Sequence, residues 1–587
     1  MYGLSPPISV LDINMGKFSK FRVQLPFGAG HRNSMTSDGE TSHHEKQAYN
    51  GPYDNSPVPT LTIHSFIMGI FVSMGGFIFG YDTGQISGFL GMKDFQEQFG
   101  QRNHDASGYH FSNVRSGLIV ALLSIGTLMG ALIGGPIADK FGRKWSIFGW
   151  CLVLHVGLIV QMTAPHPKWY QIVVGRWIAG LGVGALSLLV PMYQGESAPR
   201  QIRGALISTY QLFITLGIFV ANCINFGTEK RDNTGSWRIP MGISFLWVLI
   251  LGFGIIFFPE SPRYAYRKGR IEEAKRTMTK LYGVSDNHRV VAEELAEIKA
   301  KHDEEMLHAA TTRYFDMFTG PRMAYRIALG VTLQMLQQLT GANYFFYYGT
   351  VIFKSTGINN SYVTQIILGG VNFGSTFLGL YIVEHFGRRK SLIYGAAWMF
   401  VCFMVFASVG HFALDLNTPE NTPHAGKALI VFACLFILGF ATTWGPIVWT
   451  IIAELYPSRY RSNAMALATA SNWLWNFLLG FFTPFIVGDI DFRYGYVFAS
   501  CLFVAAGTVF FFVIEGQGRT LEEIDTMYIL HVVPWKSTEW VAPPPEQLVT
   551  TERLVRGEVS GTGPDLEASE SARRKETAPG PTADHNE

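Results

Sequence analysis

Apolar residues along the chain are gathered into twelve long runs that are separated by polar stretches. Each run is close to the ~20 residues that a helix needs to cross the ~30 Å hydrocarbon core of a bilayer. The pattern therefore predicts an all-α membrane protein with twelve spanning helices. The predicted spans are 62–90, 115–135, 146–164, 170–191, 204–224, 240–258, 324–352, 363–384, 391–411, 428–452, 463–487 and 494–514.

The polar stretches divide the chain into five parts. Residues 1–60 contain no apolar core of a signal peptide and predict a disordered tail. Residues 259–322 carry twelve Lys/Arg and eleven Asp/Glu in helical-looking runs, which predicts a small helical domain. This domain separates two six-span halves, 61–258 and 323–514. Residues 515–587 are polar again and predict a largely disordered tail, clearest from 551 onward, where no aromatic residue occurs.

The composition agrees with a membrane protein. Charged residues make up 15% of the 587 residues, against ~25% in soluble globular proteins. A net charge of +2 offers no electrostatic footprint for nucleic acid. The five cysteines lie in apolar runs without metal-ligand or redox spacing. No nucleophile–base pair, metal cluster or phosphate loop is recognisable, so we expect neither an enzyme nor a bound cofactor or metal.

Basic residues are concentrated in alternate short loops, at 135–145, near 200, at 385–390 and near 460. The positive-inside rule places such loops in the cytoplasm. With an even number of spans, both termini and the 259–322 domain are then also cytoplasmic. The sequon that begins at Asn359 falls on the outside, close to the membrane.

Two motifs recur in corresponding positions of the two halves. Asp-Lys-Phe-Gly-Arg-Lys at 139–144 matches Glu-His-Phe-Gly-Arg-Arg at 384–389, and an E-x-x-P-x-x-x-R pattern at 196–203 matches that at 454–461. Such repeats indicate a duplicated architecture with a site between the halves. We expect their charges to form a cytoplasmic gate, the alternative being that they only anchor the topology: Asp139, Arg143, Glu196, Arg203, Glu384, Arg388, Glu454 and Arg461.

With these motifs the sequence resembles the sugar porter branch of the major facilitator superfamily over about 62–525, and within it the fungal hexose transporters. Further motifs that carry the resemblance are Gly175-Arg176, Pro259-Glu260-Ser261-Pro262-Arg263, Gln337-Gln338-Leu339-Thr340-Gly341-Ala342-Asn343 and Gly445-Pro446-Ile447-Val448-Trp449. The chain departs at 514–518, where Ile-Glu-Gly-Gln-Gly replaces the family's Pro-Glu-Thr-Lys-Gly. The resemblance implies two pseudo-symmetric six-helix halves, a cytoplasmic helical linker, and plasma-membrane transport of a hexose, glucose first, by alternating access.

Amide side chains within the predicted spans are the candidate sugar ligands, because an amide both donates and accepts hydrogen bonds, as a sugar hydroxyl does. Gln334, Gln337 and Gln338 share one helix face by their spacing. Intramembrane amides also join helices, which is the alternative for any one of them. The resemblance implies sugar contacts at Gln211, Gln337, Gln338, Asn343, Asn372, Trp449 and Asn476, with Gln334 and Asn472 as weaker candidates and Phe79 and Ile214 as apolar wall.

Asp82 and Arg176 are charges inside predicted spans, where charges are costly and usually functional. At ~1.5 Å per residue, both residues lie about 12 Å below the outer end of the bundle, where span one ends and span four begins. We therefore expect them to pair. Such a pair suits a proton switch, but it suits a facilitator with a static ion pair equally. Proton symport and facilitated diffusion stay open, as do a sugar sensor with this fold and a carrier of polyols, quinate or disaccharides.

Overall fold

The structure is a computed structural model, and it describes most of the chain between Asp54 and Val555. The described residues are Asp54, Ser56, Pro59, 62–102, 108–199, 202–309, 316–354, 360–415, 422–457, 459–544 and 548–555. Nearly all of the predicted N-terminal tail, the sequon residue Asn359 and residues 556–587 lie outside them.

The first half contains eight helices and a short hairpin. The helices are α1 (Ile63–Val72), α2 (Met74–Gly91), α3 (Lys93–Phe99), α4 (Asn113–Phe141), α5 (Arg143–Met162), α6 (Trp169–Ser197), α7 (Arg203–Thr228) and α8 (Gly235–Ile255). Between α3 and α4, β1 (Gln101–Arg102) pairs antiparallel with β2 (Tyr109–His110). The following polar segment holds α9 (Pro262–Arg267), α10 (Ile271–Tyr282), α11 (Arg289–Ala309) and α12 (Asp316–Thr319).

The second half repeats the long helices and adds shorter ones at its C-terminal end. Its helices are α13 (Met323–Leu339), α14 (Ala342–Lys354), α15 (Ser361–His385), α16 (Arg388–Ser408), α17 (Pro423–Gly439), α18 (Gly445–Leu455), α19 (Arg461–Ile490), α20 (Tyr494–Phe512), α21 (Leu521–Ile529) and α22 (Thr551–Val555). A π-helical turn, Phe440–Trp444, joins α17 to α18.

Within the described residues, ten helical stretches are long and apolar enough to cross a membrane. The last stretch, 461–512, contains both α19 and α20 and so supplies two spans. The remaining predicted span is α13 followed by α14, which have only 17 and 13 residues because the helix breaks between them. The predicted twelve-helix, all-α membrane fold is confirmed, and the observed helices lie on the predicted runs.

The break between α13 and α14 falls at Gly341, whose φ of +90° is in the left-handed region. A Cβ at this position would lie 2.7 Å from a ring carbon of Phe498 and 2.9 Å from one of Phe403. Both the backbone conformation and the space therefore require glycine. Because of the break, α14 does not continue α13 as one helix, and it begins directly after the end of α13 that carries Gln337 and Gln338.

Glycines let helices in the first half approach until their backbones touch. A Cβ on Gly130 of α4 would lie 2.0 Å from the carbonyl oxygen of Leu181, and one on Gly184 of α6 would lie 2.0 Å from that of Thr127. Each helix thus presents glycine where the other presents backbone. Small residues take this role in membrane proteins because apolar side chains gain little by leaving lipid for protein.

The two halves meet along three helix pairs: α2 with α14, α4 with α19, and α7 with α15. The start of α1 is tied to the polar segment, since Thr62 and Ser65 both donate to the carbonyl oxygen of Leu281, at 2.5 and 2.6 Å. The exact boundaries of the five predicted parts of the chain stay a prediction.

The segment after the last span differs from the disordered tail that the sequence suggests. Arg326 at the start of α13 is fully buried and donates to the Asp525 carboxylate of α21 at 2.6 Å. The backbone N–H and the hydroxyl of Thr551 donate to the same carboxylate at 2.6 and 2.8 Å. The Asp525 carboxylate thus joins the start of α13 to α21 and α22, and its pairing with Arg326 offsets the cost of burying either charge alone.

Candidate functional site

Six amide side chains form one hydrogen-bonded group, which we call the amide cluster: Gln334, Gln337, Gln338, Asn343, Asn472 and Asn476. Asn472 Nδ2 donates to Gln334 Oε1 and Gln337 Oε1, at 2.6 and 2.8 Å, and its own oxygen accepts from Gln338 Nε2 at 2.9 Å. Gln338 Oε1 in turn accepts from Asn343 at 2.6 Å and from Asn476 at 3.3 Å. The group is continuous from α13 through α14 to α19.

Helix spacing and the break at Gly341 explain why these side chains meet. The three glutamines are three and four residues apart on α13 and therefore share a face. Asn472 and Asn476 are one turn apart on α19, which packs against α13. Gln337 Nε2 also donates to the carbonyl oxygens of Trp444 and Gly445, at 2.9 and 3.0 Å, beside the π-helical turn.

The cluster is joined to the other half of the molecule through Asn476. Its Oδ1 accepts hydrogen bonds from Ser124 of α4 at 2.6 Å and from the hydroxyl of Tyr347 of α14 at 2.9 Å. Asn476 therefore contacts α4 of the first half together with α13 and α14 of the second half. A change in how the halves meet must change the bonds of this residue.

Three of the predicted sugar ligands lie outside this hydrogen-bonded group. Gln211 is half-buried on α7. Asn372 is buried on α15, and its backbone oxygen accepts from Thr376 at 2.8 Å. Trp449 is 37% exposed on α18. The structure thus brings four of the seven predicted ligands together: Gln337, Gln338, Asn343 and Asn476.

Sequence reasoning undervalued Asn472 and missed Trp473. Asn472 makes three hydrogen bonds within the cluster, one to each of its glutamines, and is thus as connected as Gln338. Trp473 is 6% exposed, and its ring meets that of Phe79 edge to face with the ring centroids 5.6 Å apart. It thus packs against the residue of the first half that was predicted as apolar wall. The signal for both was the pattern Asn-Trp-x-x-Asn at 472–476, where an indole follows the first of two amides that are one helical turn apart.

The predicted charge pair is present inside the first half. Arg176 Nη2 lies 3.5 Å from Asp82 Oδ2, with both side chains buried. Gln85, one turn along α2, donates to the other carboxylate oxygen at 2.9 Å. Ser244 of α8 donates to Gln85 Oε1 at 3.4 Å. The carboxylate therefore has a cation on one oxygen and an amide on the other.

The charges of the repeated motifs meet at one end of the bundle, which we call the basic end. Arg143 lies 3.0 Å from Glu196 and 3.2 Å from Asp139, and its guanidinium side chain is buried. The Ser261 hydroxyl donates to the second oxygen of Glu196. In the second half Arg388 lies 3.0 Å from Glu454. Both predicted pairs thus exist, each within its own half.

Two predicted members of these clusters have other partners. Arg203 lies 3.5 Å from Glu294 of α11 and donates to the carbonyl oxygen of Ala198, so it links α7 to the polar segment. Arg461 donates to the carbonyl oxygen of Tyr456 at 3.1 Å. Both arginines begin a helix and fold back onto the loop before it. The side chain of Glu384 lies outside the described part of the chain.

Two carboxylates that the sequence reasoning did not assign complete the basic end. Glu260 Oε1 accepts from the backbone N–H groups of Arg143 and Lys144 at the start of α5, at 2.9 and 3.2 Å. Glu515 accepts from those of Arg388 and Arg389 at the start of α16, at 2.8 and 3.1 Å. A carboxylate at a helix N-terminus satisfies free N–H groups and the helix dipole. The altered motif at 514–518 therefore keeps its capping contact.

The glycine before each capped helix makes room for the carboxylate. Gly142 and Gly387 have φ of +96° and +83°. A Cβ on either would lie 2.3 or 2.8 Å from an oxygen of Glu260 or Glu515, respectively. Burial raises the pKa of the Glu260 carboxyl, while its hydrogen bonds and Arg143 act in the opposite direction.

At the end opposite the basic end, hydrogen bonds join the two halves directly. Ser87 of α2 lies 3.0 Å from the Thr350 hydroxyl of α14. The Tyr362 hydroxyl of α15 donates to the carbonyl oxygen of Gly88 at 2.8 Å. Asn360 at the start of α15 donates to Glu229 after α7 at 2.6 Å. The halves are thus fastened to each other at this end.

Comparison with known proteins agrees with this architecture. The family model described as "Sugar (and other) transporter" matches residues 68–528. The low-affinity glucose transporter HXT3 of Saccharomyces cerevisiae is 48% identical over 80% of this chain and 83% of its own length. The high-affinity glucose transporter ght2 of Schizosaccharomyces pombe is 45% identical over 88% of this chain and 96% of its own.

A solved structure with the same fold is that of the xylose transporter XylE from E. coli. In its form bound to 6-bromo-6-deoxy-D-glucose, described as a proton:xylose symporter of the major facilitator superfamily, it superposes with a TM-score of 0.64. It is 26% identical, and the match covers 79% of this chain and 99% of XylE. The predicted relationship to the sugar porters and their fold is confirmed.

Proposed function

This chain belongs to the sugar transporter family, and on that premise we propose that it carries hexoses, glucose first, across a membrane by alternating access. The observation that carries the proposal is the amide cluster, a buried hydrogen-bonding surface at the junction of the two halves. Its relatives HXT3 and ght2 are glucose transporters by name.

The chemistry of the cluster suits a neutral, polyhydroxylated substrate. Each amide offers two N–H donors and one acceptor oxygen, and none carries a charge. A sugar hydroxyl can therefore take the place of one amide in the hydrogen bonds of another. A charged site would hold a polar substrate more strongly, whereas a carrier must also release it.

We assign sugar contacts to the predicted ligands and extend them by what lies next to them. The assigned residues are Gln211, Gln337, Gln338, Asn343, Asn372, Trp449 and Asn476. Asn472 and Trp473 join them because Asn472 bonds three of the glutamines and Trp473 packs against Phe79 from the other half. An aromatic face next to amides can pack against the C–H face of a pyranose ring.

In this proposal the basic end faces the cytoplasm, both termini are cytoplasmic and the membrane is the plasma membrane. The pairs Arg143–Glu196 and Arg388–Glu454 serve as latches of the cytoplasmic gate. The bonds between the halves at the opposite end form the extracellular closure, which must open before a sugar can enter from outside. Alternating access then exchanges closure at one end for closure at the other.

Asp82 and Arg176 are the candidates for coupling transport to protons. Charged side chains within the spanning part of a membrane protein are costly to place there and commonly belong to ion or proton pathways. The relative XylE is described as a proton symporter. Facilitated diffusion, with the same pair as a static contact, is the competing mechanism.

Uptake of radiolabelled glucose in cells that lack their own hexose carriers tests the proposal. We expect saturable uptake that unlabelled glucose and fructose inhibit. Accumulation above equilibrium that a protonophore abolishes favours symport, whereas uptake that only reaches equilibrium and ignores the protonophore favours facilitated diffusion. Signalling in response to glucose without uptake would favour a sensor, and inhibition only by polyols, quinate or disaccharides would favour those substrates instead.

A further inference from the structure

A small internal cavity lies beside the charge pair of the first half. Helices α2, α5, α6 and α8 enclose it, and its lining includes Asp82, Ser244 and Trp247. Its volume is about 10 Å³, which is about the space that one water molecule needs. A cavity of this size is too small for a sugar.

Two polar atoms of residues that line the cavity have no hydrogen-bond partner among the described residues. They are the donor Trp247 Nε1 and the acceptor Asp82 Oδ2, whose ion-pair contact with Arg176 Nη2 is 3.5 Å long, and both atoms are buried. Asp82 as a whole is 6% exposed. Buried polar groups in proteins nearly always have a protein or water partner, because leaving one without a partner costs free energy. One small molecule that both donates and accepts hydrogen bonds can serve an acceptor and a donor of two residues that line the same cavity.

Ser244 provides a third polar atom on the same lining. Its hydroxyl donates weakly to Gln85 Oε1, at 3.4 Å, and keeps lone pairs that can accept. A water molecule in the cavity can accept from the indole N–H and donate to the carboxylate and to the serine oxygen. These are three hydrogen bonds, the usual number for a buried water.

We infer that this cavity is a binding site for a single water molecule that bridges Trp247, Ser244 and the carboxylate of Asp82. The water gives the carboxylate a neutral partner inside the first half, in addition to Arg176. When the ion pair separates, Asp82 keeps a hydrogen-bond partner that is separate from the amide cluster. This role in coupling rests on the proposed proton symport, whereas the water site itself does not.

The site is tested by an experimental structure of the full chain in lipid, at a resolution that shows ordered water, for wild type and two variants. Ser244→Val fills the cavity with methyl groups and removes the hydroxyl. Trp247→Phe removes the indole N–H but keeps an aromatic ring against Phe77, which the indole meets edge to face at 5.1 Å. We expect water density within hydrogen-bonding distance of Asp82 in wild type and its loss in Ser244→Val.

Trp150→Phe is the matched control. Trp150 also has a buried indole N–H without a partner among the described residues, but it does not line this cavity. We expect Trp150→Phe to keep the water and Trp247→Phe to weaken or lose it. Wild-type density without a water in the cavity, or a water that persists in Ser244→Val, overturns the inference whatever the transport assays give.

Transport measurements separate this inference from the proposed function. If the water links Asp82 to coupling, Trp247→Phe loses uphill glucose accumulation while exchange of labelled for unlabelled glucose continues, and Trp150→Phe loses neither. A wild-type protein that shows the water but never accumulates glucose uphill refutes proton symport and supports the water site as a structural one. Equal accumulation in Trp247→Phe and Trp150→Phe overturns the coupling role.

Discussion

Replacing Gln338 by alanine tests the amide cluster most directly, because this side chain links three other amides. It donates to Asn472 at 2.9 Å and accepts from Asn343 and Asn476 at 2.6 and 3.3 Å. Alanine removes one donor and one acceptor from the site. The three neighbouring amides each lose a hydrogen-bond partner. A sugar hydroxyl that binds to Gln338 loses its partner as well.

The expected loss follows from the cost of an unsatisfied polar group. One such group in a buried site costs about 1–3 kcal/mol, which corresponds to a weakening of affinity by about 5- to 150-fold. Water that enters the space left by the side chain moves the effect toward the lower bound. The change should appear as a higher KM for glucose and a weaker equilibrium binding of glucose.

Gln161→Ala is the matched control for this substitution. Gln161 is also a glutamine in a spanning helix, α5; it is buried, whereas Gln338 is half-buried, and its amide donates to the carbonyl oxygen of Gly157 at 3.3 Å. Initial uptake rates and binding of labelled glucose to purified protein are measured for both variants at equal surface expression. A Gln338→Ala protein with the glucose affinity of wild type would show that the cluster only joins helices.

Four further predictions follow from the charges and glycines. Asp82→Asn should keep glucose exchange but abolish uphill accumulation, and accumulation that survives the change would contradict proton coupling through this residue. Glu454→Gln should open the basic end, so that a cysteine placed at its mouth reacts faster with a thiol reagent; an unaltered rate despite lost transport would point to folding instead. Burial raises the pKa of Glu260 above 4.5, so the stability that this group contributes is present below that pH and falls as the pH rises through its folded pKa. The melting temperature of wild type should therefore drop relative to that of Glu260→Gln from acidic to neutral pH. Melting temperatures of the two proteins that change with pH in parallel would refute the assignment. Gly387→Ala should destabilise the protein by about 1–3 kcal/mol through its left-handed backbone, whereas Gly507→Ala, with no atom within 4 Å of the added Cβ, should not; equal melting temperatures would disprove the requirement.

Hydropathy predicted the spans well because the bilayer imposes length and apolarity on each helix separately. The face shared by Gln334, Gln337 and Gln338 was also predictable, since it depends only on the spacing within one helix. The weight of Asn472 was not, because it arises from the packing of α19 against α13. The place of Trp473 in the site rests on its contact with Phe79 of the other half. No local sequence pattern contains such a contact.

The ends of the helices show a second limit of sequence reasoning. The acids of the repeated loops could be matched by motif, but their partners depend on which elements meet in space. Arg203 pairs with Glu294, ninety-one residues away in sequence and in a segment with no counterpart in the second half. Likewise Asp525 of α21 has as its buried partner Arg326, which belongs to the start of the seventh span. The roles assigned to the individual site residues stay predictions until they are measured.

The carboxylates that cap α5 and α16 also bear on how the protein is made. Each cap comes from the chain just after the last span of its half, Glu260 after α8 and Glu515 after α20. A ribosome that has passed Glu260 has therefore supplied the cap of α5, while the second half is still to be translated. Domains generally fold in this order, as units from the N-terminus. A chain that stops after its last span but before Glu515 would contain all twelve membrane helices and still leave the start of α16 without its cap.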